Sequence, residues 1–345
     1  MPSTSEILKK TSARKLMVGH ERFITQLVRL LPCLEKAATA SDPALALYQT
    51  PSRQWLFHIQ ALCRIYRKVQ DKKPFKAIGE TVKALEDQLG SVDYWDGWCK
   101  DAAARKEFPA IVLATIQKHK AAELVKLKQV MDRGAWLADD IKPIRSMLTE
   151  LDKVEWRKPE KDRKKVAEFL AGELDEIDTE YRDGEFDFHE LEEGVHEFRR
   201  QLRWISIYAQ CLEGLIQVKP VAKPEKRFQP YLTDAVLKSR FNVLPAPKPG
   251  VAPIFFAAPH FYALSWLIFE LGIIKDDGQK TEAMLAAANE AGWSRATAAK
   301  KRLAALVPGS TRTLDSIPES VASISNAFVV DNLVLQRLRD DIQNS

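Results

Sequence analysis

The chain has 345 residues, 46% of them hydrophobic, with 52 lysines and arginines against 47 acids. That length and apolar content suffice for one large or two ordinary folded domains and exclude a disordered chain, while a formal charge of +5 is too small to mark a nucleic-acid or membrane protein by itself. Four scattered cysteines, Cys33, Cys63, Cys99 and Cys211, with no C-x-x-C pair, exclude a disulfide framework and a zinc knuckle. No run of about twenty apolar residues occurs, and the first residues lack the apolar core of a signal peptide. The reading is a soluble protein of a reducing cytoplasm.

Charge is unevenly spread. Lys9, Lys10, Arg14, Lys15, Arg22 and Arg29 make the first thirty residues basic, and Arg157 to Lys165 is a second basic run. Between Glu173 and Glu193 there are eleven carboxylates against Arg182 alone. The spacing of Leu16, Phe23, Leu27, Leu30 and Leu34 predicts a helix with Thr11 or Ser12 as N-cap and a kink at Pro32. His20 sits on it beside Arg22. Ser52 to Gln70 is a second helix, on which Arg53, Gln60, Arg64 and Arg67 fall within about 40° of one direction at the helical period, with His58 on the same helix.

Phe75 to Leu89 reads as a helix stopped by Gly90, and Val92 to Lys106 as the next, rich in Trp95 and Trp98. Ile111 to Met131 is amphipathic, apolar at Ile116, Leu124, Leu127 and Met131, with Lys118, His119, Lys126 and Lys128 elsewhere. Asp139 to Leu151 follows, and the run around Pro159 breaks the chain into halves. Val166 to Tyr181 and Glu190 to Val218 are helical. In the latter, Val195 to Ile216 is the organising stretch: His196, Arg199, Arg200 and Arg203 share one face, and Phe198, Leu202, Ile205, Ala209 and Leu212 form an apolar stripe beside it.

From Lys219 to Pro259, prolines at 220, 224, 230, 245, 247, 249, 253 and 259 forbid a long helix. Helix resumes from Phe261 to Leu271, is stopped by Gly272, and continues from Thr281 to Leu306; Val330 to Ile342 is the last. Period-2 alternation is scarce, so the fold class is all-α. Two segments echo each other, VKALEDQLGSVDYWDGW at 82–98 and LSWLIFELGIIKDDGQK at 264–280, each a helix ending in Leu-Gly followed by an Asp placed to cap the next helix. The organisation predicted is two pseudo-repeated antiparallel helical bundles, residues 1–155 and 156–310, with a Pro-rich insertion at 219–259 in the second half and a tail at 311–345 holding one helix.

This order is similar to the conserved histidine α-helical domain, CHAD, whose halves each carry a His-x-x-Arg-x-x-x-Arg helix followed by a Leu-Gly element with a downstream Asp. His196, Arg199 and Arg203 match the second-half helix, Leu271-Gly272 with Asp276 its later element, and Leu89-Gly90 with Asp93 the first-half counterpart. In the first half the spacing is shifted, so that with Arg64 and Arg67 at the Arg positions Phe57 stands where the family has His. The resemblance implies non-catalytic binding of inorganic polyphosphate, or a similar polyanion, in a basic groove between helical bundles, without cofactor or metal. The residues assigned to that groove are His196, Arg199, Arg200, Arg203, Arg53, His58, Arg64, Arg67, His20 and Lys126. Arginine forks engage phosphate oxygens bidentately and histidine adds a pH-sensitive donor, so these residue types suit that ligand.

Two other functions are open on the residues. Residues 284–306, MLAAANEAGWSRATAAKKRLAAL, have helix-turn-helix spacing with Gly292 in the turn, Ser294 as cap, and Arg295, Lys300, Lys301 and Arg302 on a recognition helix for DNA. A helical scaffold that binds no polyanion is the other. His189, Glu193 and His196 have the spacing of one helix face but lack a further histidine or cysteine to complete a metal site. No nucleotide-binding, metalloprotease or nucleophile-elbow motif occurs, so no enzyme is expected.

Overall fold

The structure is a computed structural model that describes residues 17–70, 72–138, 140–293 and 316–345. It is mostly helical. Lys9, Lys10, Arg14 and Lys15, the caps Thr11 and Ser12, Asp139, and the recognition-helix residues Ser294, Arg295, Lys300, Lys301 and Arg302 lie outside the described residues.

Contacts sort the chain into two compact units, residues 1–157 with 280–309, and residues 158–279 with 310–345. The first contains α1 (Val18–Ala38), α2 (Pro43–Tyr48), α3 (Ser52–Val69), α4 (Lys72–Ala103), α5 (Ala110–Arg133) and α6 (Lys142–Asp152). In the second are α7 (Pro159–Arg182), a π-turn (Leu191–His196), α8 (Glu197–Cys211), β1 (Ile216–Lys219), α9 (Asp234–Leu237), β2 (Ile254–Ala257), α11 (Ile317–Asn326) and α12 (Val334–Gln343). The long helix α10 (Ala258–Glu290) gives its first part to the second unit and its last turns to the first.

Pro32 does not end α1, which runs on to Ala38 because Cys33, Leu34 and Ala37 are buried; packing outweighs the one helix hydrogen bond a proline removes. Pro159 is the first residue of α7, where a missing N–H costs nothing. In the first unit, α1, α3 and α4 close around Phe23, Tyr66 and Phe75, with Trp156 edge-on to Tyr66 and Phe75. Gly19 admits that ring, since a Cβ there would stand 2.6 Å from Trp156. A second cluster joins Cys99, Ala102, Phe108, Val112 and Ile116 to Met284, Ala287 and Ala288 of α10.

Two helix stops expected from sequence are absent. Gly90 lies inside α4 and Gly272 inside α10, both continuous. Each glycine clears room for an arginine from another helix, described below, and so is not a C-cap. The basic helix expected to reach Val218 ends at Cys211 instead. Glu213 and Gly214 then adopt left-handed backbone, and the chain enters β1, which pairs in parallel with β2 from Ile216↔Ile254 to Lys219↔Ala257. Among the described residues no helix is long and apolar enough to cross a membrane.

Candidate polyanion-binding surfaces

The assigned residues divide between the units: His196, Arg199, Arg200 and Arg203 in the second, and Arg53, His58, Arg64, Arg67, His20 and Lys126 in the first. Each set has its own surroundings.

In the second unit α8 begins at a π-turn whose Gly194 packs on the Asp187 carbonyl; a Cβ there would fall 1.7 Å from that oxygen. His196 closes the turn. It is half-buried, its Nδ1 is buried without a hydrogen-bond partner, and burial holds its pKa below the ordinary value. Glu192 opposes that shift, while Lys275, Arg199 and Arg200 reinforce it. Arg199 does not face an open groove. Its Nε donates to the Ile268 carbonyl at 3.0 Å, and its guanidinium lies on Gly272, where a Cβ would come within 3.1 Å of Nε and Nη2. Burial lowers even its pKa, against the pull of Asp276. Arg200 is ion-paired with Glu197, and Arg203 is half-buried on the same helix. Lys275 bonds Asp276 at 2.6 Å and Gln279 at 2.7 Å, and Gln279 donates in turn to Glu192. Arg199, Arg200 and Lys275 are thus answered within the unit.

The same holds for much of the first unit. Arg53 Nε meets Glu86 at 3.0 Å and its Nη1 meets Asp93 at 2.8 Å, with the guanidinium over the Phe57 ring and against Gly90. Asp93, expected as a helix N-cap, is this ion-pair partner within α4. His58 is a core residue, its Nδ1 3.1 Å from Gln26 Oε1 and its ring edge-on to Trp55. His20 is buried edge-on to Trp156. Lys126 bonds Glu123 at 2.7 Å. Nearby, buried Asp96 takes hydrogen bonds from Tyr48 at 2.7 Å and from Lys100 and Lys120, both at 2.6 Å. Burial by itself would raise the Asp96 pKa, but these donors outweigh it and hold the carboxyl at about 2.

Arg64 and Arg67 are different. They lie on the last turns of α3, where it passes to α4, and the stretch 64–76, RIYRKVQDKKPFK, carries Arg64, Arg67, Lys68, Lys72, Lys73 and Lys76 with Asp71 its one acid. All six cations are exposed. Among the described residues Arg67, Lys68 and Lys72 form no ion pair, and Lys76 reaches Glu80 only at 3.8 Å. Arg157 caps the end of α3 by donating from Nε to the Val69 carbonyl at 2.9 Å. Gln70, between the helices, has a buried Nε2 with no hydrogen-bond partner. Arg67 and Lys68 suit the negative end of the α3 dipole, whereas Lys72 and Lys73 stand at the positive end of α4, where the dipole disfavours cations. A helical-wheel reading of α3 alone takes in only its first two members; the density of cations across the helix boundary is the sequence signal that finds the rest.

The opposite charge gathers in the second unit. A cavity of about 380 Å³ is lined by Glu180, Asp183, Glu185, Phe186, Glu193, Glu197 and Gln201, so one flank of α8 repels anions. No group of metal-binding side chains occurs among the described residues, and His189, Glu193 and His196 do not make one. Of the helix-turn-helix candidate, Met284, Ala287 and Ala288 are core residues and Gly292 takes left-handed backbone at φ +70°. No family model, no curated protein and no solved structure matches the chain.

Proposed function

We propose that the chain binds inorganic polyphosphate or a similar polyanion, without catalysis, and that the α3–α4 elbow is the surface that does so. The carrying observation is the exposure of six cations over 64–76, of which Arg67, Lys68 and Lys72 form no ion pair among the described residues, while Arg53, Arg199, Arg200 and Lys126 are engaged by partners in their own unit. Crowded like charges at the start of α4 raise the energy of the free protein, and a bound anion relieves it. The resemblance to CHAD supports the ligand class and is silent on this elbow.

The same resemblance supports a duplicated architecture. Arg53 rests on Gly90 and bonds Glu86, four residues before that glycine; Arg199 rests on Gly272 and bonds Ile268, again four before it. Asp93 and Asp276 follow the two glycines on the same helices and face the same arginines.

The test is a titration of labelled long-chain polyphosphate at two salt concentrations, with duplex DNA in parallel. Affinity falls as salt rises, and Arg67→Glu with Lys68→Glu and Lys72→Glu reduces the salt slope by about two, taking roughly 0.7 per neutralised phosphate by analogy with single strands. Polyphosphate affinity unchanged in that triple variant overturns the elbow assignment. Tighter binding of DNA than of polyphosphate selects the helix-turn-helix reading instead.

A further inference from the structure

The exposed cations of the elbow are long side chains in water, which hold a chain of phosphates near a patch without fixing any one of its groups. Arg157 is placed differently. The residue before it, Trp156, is wedged against both helices of the elbow: its ring lies 5.4 Å from Tyr66 of α3 and 5.8 Å from Phe75 of α4, edge-on to each. Its Nε1 donates to the Leu151 carbonyl at 3.2 Å. With Trp156 held there, Arg157 has to stand at the turn, and its Nε donates to the Val69 carbonyl in the last turn of α3. The side chain is therefore fixed at its backbone end by Trp156 and near its tip by Nε. Among the described residues Arg157 forms no ion pair and no other hydrogen bond. It is half-buried, and neither Nη atom is buried without a partner, so both are open to a ligand. Gln70, next along from Val69, brings an unanswered donor to the same turn in its Nε2.

A guanidinium whose Nε is committed to a carbonyl still presents the edge formed by Nη1 and Nη2, which matches two oxygens of one phosphate group. Because this fork is already immobilised, capturing an anion costs it little rotamer entropy, whereas each exposed lysine must be ordered on binding. Arg67, Lys68 and Lys72 lie within three residues of Val69, whose carbonyl the fork rests on, so their charge draws a polyanion to it. We infer that Arg157 is the anchor of the elbow: Nη1 and Nη2 grip a single phosphate group, while Arg67, Lys68 and Lys72 retain the rest of the chain by charge alone. This rests on the elbow being the polyanion surface.

The two kinds of contact respond differently to salt, since counterion release fades as salt rises and a directed fork does not. Long-chain polyphosphate is titrated from low to high salt into the full chain, Arg157→Lys, Arg157→Gln, Arg67→Lys and the triple elbow variant, with a thermal melt of each. Arg157→Lys keeps the charge and loses the fork, so affinity falls about tenfold at every salt concentration and the slope stays at the parent value. Arg157→Gln loses both, and its slope becomes shallower by about 0.7. Arg67→Lys changes neither affinity nor slope. Arg157 also caps α3, and a loss of affinity that appears only in step with a lower melting temperature overturns the anchor. So does a deficit in Arg157→Lys that vanishes at high salt. Parent-level binding by Arg157→Lys, where the triple variant has lost it, overturns the anchor and leaves the elbow standing. Parent-level binding by the triple variant overturns the elbow, and the anchor with it.

Discussion

Arg53 in the first unit and Arg199 in the second meet their glycines in the same way and are neutralised differently. Arg53 keeps 34% of its side chain in water and has two carboxylates, Glu86 and Asp93, one buried and one exposed. Arg199 is more deeply set, with a main-chain carbonyl as its hydrogen-bond acceptor and Asp276 as the nearby charge. A buried guanidinium that faces a carbonyl loses more hydration than it regains from that bond, which is why burial lowers its pKa. Two arginines that rest alike on a glycine thus differ in how much of the unit's stability depends on them, and each is engaged within its own unit.

The sharpest way to break the comparison is to remove each guanidinium. Arg199→Ala leaves a cavity beside Gly272 and removes the second hydrogen bond to the Ile268 carbonyl, and is expected to cost about 2–4 kcal/mol. Arg53→Ala costs less, about 1–2 kcal/mol, because water reaches the site and screens Glu86. Urea unfolding of both variants checks the order, and equal losses would show that burial is not what separates them. Polyphosphate affinity of folded Arg199→Ala stays at the parent value.

Alanine at the two glycines comes next. At Gly90 the new Cβ meets the far end of Arg53, Nη2 at 2.6 Å, and that flexible group swings aside. The helix gains about 1 kcal/mol from replacing glycine, so Gly90→Ala is near neutral or stabilising. At Gly272 the contacts are 3.1 Å to a guanidinium tied to Ile268, and displacing it exceeds the propensity gain by about 1 kcal/mol. Thermal melts of the two variants should move in opposite directions or differ by several degrees.

Helix content and the apolar stripes of α3, α5 and α8 were legible from periodicity, because each is a local property of a dozen residues. The role of Gly90 and Gly272 was not. A glycine after a leucine in a helical run looks like a C-cap, and what overrules that is an arginine from a different helix, distant in the sequence. Asp93 and Asp276 were misread as caps for the same reason. The elbow was half legible: Arg64 and Arg67 stood out on the wheel of α3, but Lys72, Lys73 and Lys76 belong to the next helix and have no fixed angle to it until the turn is known. Likewise the basic face of α8 was visible, while the pairing of Arg200 with Glu197 and of Arg199 with Ile268 was not.

A third contrast lies in pH. His196 stands one turn before Arg199, and Thr50 holds the same offset before Arg53. Because burial depresses the His196 pKa, the folded state resists a proton that the unfolded state accepts near the ordinary histidine value of about 6.5. Stability is therefore full above that pH and declines as pH falls from it towards the depressed folded value, below which the loss is complete. His196→Leu removes this part of the acid slope and, by deleting a buried nitrogen without a partner, leaves stability at neutral pH equal or higher. An acid slope identical in parent and variant would place the titration elsewhere.

The smallest expected effect separates surface charge from architecture. Arg67, Lys68 and Lys72 form no ion pair among the described residues, so reversing them should change stability by far less than loss of Arg53 or Arg199. Lys72→Glu goes further: it puts a carboxylate at the N-terminal turn of α4, where the helix dipole favours it, and should stabilise by about 0.3–1 kcal/mol at low ionic strength. Arg67→Glu puts the same charge at the C-terminal turn of α3, where the dipole opposes it, and should destabilise by a similar amount. The two shifts oppose each other in stability and agree in binding, since both remove a cation from the polyanion surface. Measured together at low and high salt, a pair of melts and a pair of titrations therefore distinguish a ligand surface, where both variants bind polyphosphate less tightly, from a solvated helix end, where only the melts move.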